Sequence, residues 1–153
     1  ETTCAPGRVQ SQRTVFDWSK LPGMPVWIGY AVVFLGGGVG AAARHGVNRA
    51  AAALAGPNYP WGTLVVNVVG CLVMGMLTSW FAFRGETAPQ PLRLLLTTGV
   101  LGGFTTFSAF ALDTVLMVER HDVGAALVYV AASVGLSLAA VVSGMWIVRV
   151  PLA

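Results

Sequence analysis

Four long stretches of this chain contain no lysine, arginine, aspartate or glutamate. They cover residues 21–43, 50–83, 94–112 and 123–148, and the shortest of them has 19 residues. A helix that crosses a bilayer needs about 20 consecutive, predominantly apolar residues. Because four such spans fit and little of the chain remains outside them, the sequence predicts an all-α integral membrane protein with four transmembrane helices.

Composition and motifs exclude several other classes of protein. Only 10% of the residues are charged and 56% are hydrophobic, whereas soluble domains carry about 25% charged residues. The nine basic residues are scattered without a basic run, so we expect no nucleic-acid partner. The sequence has no nucleophile beside a base, no phosphate-binding loop and no zinc motif. We therefore expect neither a soluble enzyme nor a membrane-bound one.

The turns and polar segments divide the chain into two parts. We predict a polar, cytoplasmic N-terminal tail at 1–25 and a multi-pass transmembrane domain at 26–150 in the cell membrane. The approximate spans are 26–54, 61–83, 92–118 and 123–148.

The basic residues flanking these spans give almost no preference for one orientation. If the helices alternate, one side of the membrane receives Arg84, Arg93 and Arg149, and the other receives Arg44, Arg49 and Arg120. Since positive residues set orientation, a core with three on each side can insert both ways, and two opposite copies can pair. The tail adds Arg8, Arg13 and Lys20 to the first side, which works against equal insertion.

Small residues dominate the later part of the first span. Residues 36–43 read Gly-Gly-Gly-Val-Gly-Ala-Ala-Ala. Side chains this small let another backbone approach closely, which is how helices associate in lipid. We therefore predict a tight helix contact at this point.

An amide lies inside the second span, at Asn67. One interpretation is that it hydrogen-bonds a neighbouring helix. The other is that it lines a pore or a substrate path. The sequence leaves both open.

Residues 102–110 read Gly-Gly-Phe-Thr-Thr-Phe-Ser-Ala-Phe. The glycines, together with Gly99, predict an interruption of the third span, and the threonines predict a new helix with an N-cap. At membrane depth such a break must be buried in protein or line a cavity. It frees carbonyls for a cation and directs a helix N-terminus toward anions.

Aromatic and hydroxyl side chains recur at helical spacing after this motif. Phe107 and Phe110 project from one helix face, and Tyr129, Ser133 and Ser137 follow one another every four residues. The electropositive ring edges can meet an anion, or the rings can simply pack. The hydroxyls can form a polar track, or bond their own helix.

Three motifs together resemble those of the Fluc (CrcB) family of fluoride channels. They are Gly36-Gly37-x-x-Gly40-Ala41-x-x-Arg44, Gly62-Thr63-Leu64-x-Val66-Asn67-x-x-Gly70 and Gly102-Gly103-Phe104-Thr105-Thr106-Phe107-Ser108-x-Phe110. Their order and spacing agree with the family over about residues 26–150. Three positions depart from the family pattern: Ala109, Val141 and Asp113.

The resemblance implies an antiparallel, dual-topology homodimer with a third helix broken in mid-membrane. It also implies a passive channel that lets fluoride leave the cytoplasm and relieves its toxicity. The implied pore residues are Asn67, Phe107, Phe110, Thr106, Ser108, Tyr129, Ser133, Ser137 and Arg44. A structural sodium ion at the dimer centre is implied as well, held by the backbone carbonyls of Gly102 and Thr105 from both copies.

Two alternatives compete with this hypothesis. A small four-helix, dual-topology multidrug transporter needs an embedded glutamate in its first helix, and none is present. Proton-coupled transport in general relies on such intramembrane acids, and Asp113 is the only acid within the predicted spans. A non-transporting membrane assembly protein would not require the combination of break, amide and aromatic pair.

Overall fold

The computed structural model describes residues 24–84 and 88–149. Within these ranges, four helical spans are long and apolar enough to cross a membrane: Val26–Ala55, Trp61–Phe83, Gln90–Glu119 and Val123–Arg149. The predicted all-α class with four spans is confirmed. The predicted tail at 1–25 lies outside the described residues except for Met24 and Pro25.

Three of the spans are single helices, and the third is divided into segments. The single helices are α1 (Val26–Ala55), α2 (Trp61–Arg84) and α6 (Val123–Arg149). The third span contains α3 (Gln90–Leu94), a π-helical segment (Leu95–Leu101), α4 (Gly102–Phe104) and α5 (Phe107–Glu119). Its first part packs on α1, α5 packs on α6, and α2 packs along α6.

Large apolar side chains cover the outside of the helices. Trp27 is 69% exposed, Phe34 80% and Leu138 62%. A helix with apolar residues on all sides is suited to a lipid environment. The exposed apolar surface is what a membrane-spanning bundle requires.

Contact between α1 and the third span is made by backbone. Gly36 and Gly40 are the buried residues of α1. A Cβ on Gly36 would lie 2.9 Å from the Cα of Gly99, and a Cβ on Gly40 would collide with the carbonyl oxygen of Val100. The close approach predicted from the small residues of the first span is confirmed.

Glycines also let α2 and α6 approach each other closely. A Cβ on Gly75 would collide with the carbonyl oxygen of Val141, and one on Gly144 with that of Leu72. Each helix thus presents one glycine to the backbone of the other. This contact sets the distance between the two helices that carry the predicted amide and the predicted hydroxyls.

The glycines predicted to interrupt the third span are helical instead. Gly102 has φ −63° and ψ −36°, and Gly99 and Gly103 belong to helical segments. A Cβ on Gly103 would collide with the carbonyl oxygen of Gly37. These glycines allow close approach to α1, and the non-helical backbone follows them at residues 105–106.

Candidate functional site

The third span contains two consecutive residues with extended backbone. Thr105 has φ −76° and ψ 157°, and Thr106 has φ −154° and ψ 115°. Thr106 is the N-cap of α5, because its hydroxyl accepts a hydrogen bond from the Ala109 N–H at 3.2 Å. The same hydroxyl lies 3.2 Å from the Ser108 hydroxyl. Thr106 is buried and Ser108 is exposed.

Asn67 of α2 binds this extended segment through both ends of its amide. Its Nδ2 donates to the Thr106 carbonyl at 3.0 Å, and its Oδ1 accepts from the Thr106 N–H at 2.8 Å. The amide nitrogen carries two hydrogens, and among the described residues only Thr106 receives one. The structure therefore shows that Asn67 hydrogen-bonds a neighbouring span, as one of the two interpretations predicts. One N–H of its amide is still available to a further acceptor.

Two backbone carbonyls near the extended segment lose the partners that a continuous helix would give them. In an α-helix, Gly102 would accept from the Thr106 N–H and Thr105 from the Ala109 N–H. Here the Thr106 N–H donates to Asn67, and the Ala109 N–H donates to the Thr106 hydroxyl. Unwound carbonyls are the groups that hold sodium in other membrane proteins, so the chemistry of these two carbonyls fits the implied ion.

Gly70 of α2 faces the neighbouring threonine. A Cβ on Gly70 would collide with the Cγ2 methyl of Thr105. The Thr105 hydroxyl donates to the Leu101 carbonyl at 2.9 Å, and the Thr105 N–H donates to the same oxygen at 3.0 Å. The rotamer of Thr105 is thus held by its own span, with the methyl group against α2.

The aromatic side chains form a connected row. Phe107 and Phe110 have ring centroids 5.5 Å apart, Phe110 and Tyr129 5.4 Å, and Tyr129 and Tyr59 5.7 Å with an edge-to-face angle of 85°. The predicted pairing of the two phenylalanines on one face is confirmed. Phe107 is 79% exposed in the single chain, so this ring has little intrachain packing.

The predicted hydroxyl track continues this row along α6. Tyr129 and Ser133 are buried, and Ser137 is half-buried. The Ser133 hydroxyl oxygen is buried without a hydrogen-bond partner among the described residues. A buried hydroxyl without a partner is costly, which marks this position as one that an ion or a water could satisfy.

The carboxylate of Asp113 is not among the predicted site residues, although it contacts one of them, Tyr129. Asp113 accepts a hydrogen bond from Thr63 at 2.8 Å and one from the Tyr129 hydroxyl at 3.4 Å, both on the same oxygen. Together with Asn48 and Arg120, Asp113 and Thr63 line an open cavity of about 300 Å³. Asp113 is the only acid within the predicted spans, and the hydroxyls of Thr63 and Tyr129 on neighbouring helices are the sequence signal that could place it in the site.

Arg44 is the remaining predicted site residue. It lies one helical turn beyond Gly40 on α1 and is half-buried. In the part of the chain that the structure describes, no hydrogen bond or ion pair links it to Asn67, Phe107 or Phe110.

Comparison with known proteins shows which family this sequence belongs to. The sequence model of a family described as CrcB-like protein, Camphor Resistance (CrcB), matches residues 31–145. A protein of Nitrobacter hamburgensis named fluoride-specific ion channel FluC 2 is 49% identical over 120 residues, which cover 78% of this chain and 96% of the relative. Proteins named fluoride-specific ion channel FluC from Methylobacterium nodulans and Rhizobium etli are 52% and 53% identical over 118 residues, which cover 77% of this chain and 94% of each relative.

Proposed function

The chain belongs to the CrcB-like protein family, and we propose that it forms a passive, fluoride-selective channel. The observation that carries this proposal is the identity to fluoride-specific ion channels at about half of the 118–120 aligned positions, which cover at least 94% of each relative's length. The chain is a multi-pass plasma-membrane protein, with four candidate spans in residues 24–84 and 88–149. Channel function needs no catalytic group, and the protein is not an enzyme.

The proposed fluoride path follows the aromatic row and the hydroxyl track. The edges of Phe107 and Phe110 and the free N–H of Asn67 supply neutral, electropositive contacts. The buried, unpartnered hydroxyl of Ser133 supports an ion path at α6. The other groups that we assign to the path are Thr106, Ser108, Tyr129, Ser137 and Arg44. Since donors are spread over many positions, no single site needs to hold the ion tightly.

We assign the complete path to an antiparallel, dual-topology homodimer. Phe107 is 79% exposed in one chain. This exposure supports a second copy that completes the path. The even distribution of basic residues around the four spans supports insertion in both orientations.

We also propose that the third span is broken in mid-membrane and that a structural sodium ion lies at the dimer centre. The extended backbone of Thr105 and Thr106 and the two released carbonyls, at Gly102 and Thr105, support this assignment. The bound cation would supply a fixed positive charge that raises the local potential for anions. Flux through such a channel is passive, so fluoride leaves the cytoplasm when its concentration is higher there.

Ion flux from liposomes tests the function directly. Liposomes that contain the purified protein are loaded with potassium fluoride or potassium chloride, and a potassium ionophore lets the cation leave with the anion. Anion release is followed with ion-selective electrodes. We expect rapid fluoride release and chloride release at the level of protein-free liposomes. Equal release of the two anions would contradict the proposal.

A further inference from the structure

Two residues of α2 act on the same point of the third span. Asn67 and Gly70 are three positions apart, so they lie on one face of the helix. Asn67 hydrogen-bonds both backbone groups of Thr106, and Gly70 leaves space for the methyl group of Thr105. This face of α2 therefore contacts both residues with extended backbone.

The hydrogen bonds of Asn67 compete with those of a continuous helix. The Thr106 N–H can donate either to the Gly102 carbonyl, which continues the helix, or to Asn67. It donates to Asn67 Oδ1 at 2.8 Å. Because Nδ2 binds the Thr106 carbonyl as well, one amide satisfies both polar groups of an extended residue that has no water to bind at membrane depth.

Gly70 controls the position of Thr105 in a different way. The Thr105 side chain is held by its bond to the Leu101 carbonyl, so its methyl group cannot turn away without losing that bond. Any side chain at position 70 would push against this methyl group. Thr105 would then move, together with its carbonyl.

We propose that Asn67 and Gly70 are positioning residues that keep the carbonyls of Gly102 and Thr105 released for a sodium ion. This inference rests on the cation site of the proposed function. It gives Asn67 two separable tasks. Its Oδ1 atom keeps the Thr106 N–H from returning to the Gly102 carbonyl. Its remaining N–H faces the fluoride path.

The experiment measures sodium binding separately from flux. The melting temperature of the purified dimer is recorded over a series of sodium concentrations, with N-methylglucamine keeping the ionic strength constant. A ligand that binds only the folded protein raises its melting temperature with concentration. The half-saturating sodium concentration from this titration and the fluoride flux from liposomes are the two readouts.

Two substitutions at position 67 separate the tasks. Asn67→Leu removes the acceptor, so the Thr106 N–H returns to the Gly102 carbonyl. We expect the half-saturating sodium concentration to rise about tenfold or more, as for other groups that orient metal ligands. Asn67→Asp keeps the acceptor for the Thr106 N–H and loses the donor to the Thr106 carbonyl, so we expect the sodium response to weaken less than in Asn67→Leu. Fluoride flux should fall, because the carboxylate repels the anion.

Substitutions at position 70 give an independent test. Gly70→Ala should weaken the sodium response. Gly70→Ala combined with Thr105→Ser should restore it, because serine lacks the obstructing methyl group and keeps the hydroxyl. Thr78→Val is the control for Asn67, since the Thr78 hydroxyl bonds only its own helix, at Met74. Gly124→Ala is the control for Gly70, since a Cβ there meets nothing within 4 Å.

The outcomes distinguish this inference from the proposed function. An unchanged sodium response in Asn67→Leu overturns the inference. If that variant yields no dimer, the position-70 pair decides, because rescue by Thr105→Ser supports the inference and a lack of rescue overturns it. A wild-type dimer that passes fluoride without responding to sodium removes the cation site, and this inference with it. A wild-type dimer that responds to sodium without passing fluoride contradicts the channel function alone.

Discussion

The two halves of the third span are positioned by different means. The first half, through α4, lies against α1 with glycine facing backbone, as at Gly36 with Gly99 and Gly40 with Val100. The second half, α5, is positioned by side chains: Thr106 caps it, Asp113 accepts from Thr63 and Tyr129, and Phe110 packs on Tyr129.

This difference separates the scaffold from the part that carries the chemistry. Where a glycine meets backbone, as Gly40 meets the Val100 carbonyl, a side chain added to the glycine has no space. Contacts between side chains leave room for groups that face an ion or a second copy, and Phe107 at the start of α5 is 79% exposed. Substitutions at the contact glycines of the first half should therefore affect folding, and substitutions of Phe107 and Phe110 in the second half should affect flux.

The largest effect is expected at the backbone contact. Gly40→Ala places a Cβ on the Val100 carbonyl oxygen, which overpacking data suggest costs about 3 kcal/mol or more. We expect little folded protein to be recovered by gel filtration. Gly46→Ala on the same helix is the control: a Cβ there meets nothing within 4 Å, and alanine favours a helix by about 1 kcal/mol over glycine. Equal recovery of the two variants would show that the contact does not determine the fold.

A smaller effect, mainly on flux, is expected at the aromatic row. Phe107→Ile and Phe110→Ile keep the bulk and remove the electropositive ring edge. An aromatic contact contributes about 0.5–1.5 kcal/mol, so we expect fluoride flux per dimer to fall by about two- to tenfold. Flux normalised to the dimer recovered by gel filtration is the deciding measurement. Normal flux through well-folded variants would show that both rings only pack against their neighbours and do not contact the ion.

The smallest effect compares one threonine from each half. Thr106→Val removes the N-cap of α5, which should lower the free energy of unfolding by about 1 kcal/mol. Thr97→Val removes a hydroxyl that bonds its own helix, at the Arg93 carbonyl. This substitution should change the free energy of unfolding by less than about 0.5 kcal/mol. Thermal unfolding in detergent measures both, and Thr106→Ser should restore the wild-type value. A larger loss in Thr97→Val would reverse the comparison.

The four spans could be predicted from the sequence because lipid imposes length and polarity directly on it. The position of the non-helical backbone was harder to predict. Glycine in a membrane helix can end the helix or admit a neighbouring backbone, and only the packing partner decides which. At Gly102 and Gly103 the helix continues, and the extended residues are the threonines after them.

Contacts between residues far apart in the sequence could not be predicted, because they too depend on how the spans pack. The sequence identified Asn67 as an amide in lipid, but its partner Thr106 lies 39 residues away. Thr63 and Asp113 are 50 residues apart, and helical spacing along one span carries no information about which face meets which neighbour. The roles of the phenylalanines in a pore depend on a second copy and stay predictions.

The glycine contacts between α1 and the third span also have a consequence for conformational entropy. Ordering a buried leucine or isoleucine side chain costs about 0.5–1 kcal/mol of entropy, and glycine has no rotamers to lose. Helices in lipid gain nothing from removing apolar surface from water. Where glycine lines the contact, no side-chain entropy is lost, so weak dispersion attraction between the backbones is enough to stabilise it. At the glycine positions themselves, the close approach of α1 and the third span is therefore reached without any loss of side-chain rotamer entropy.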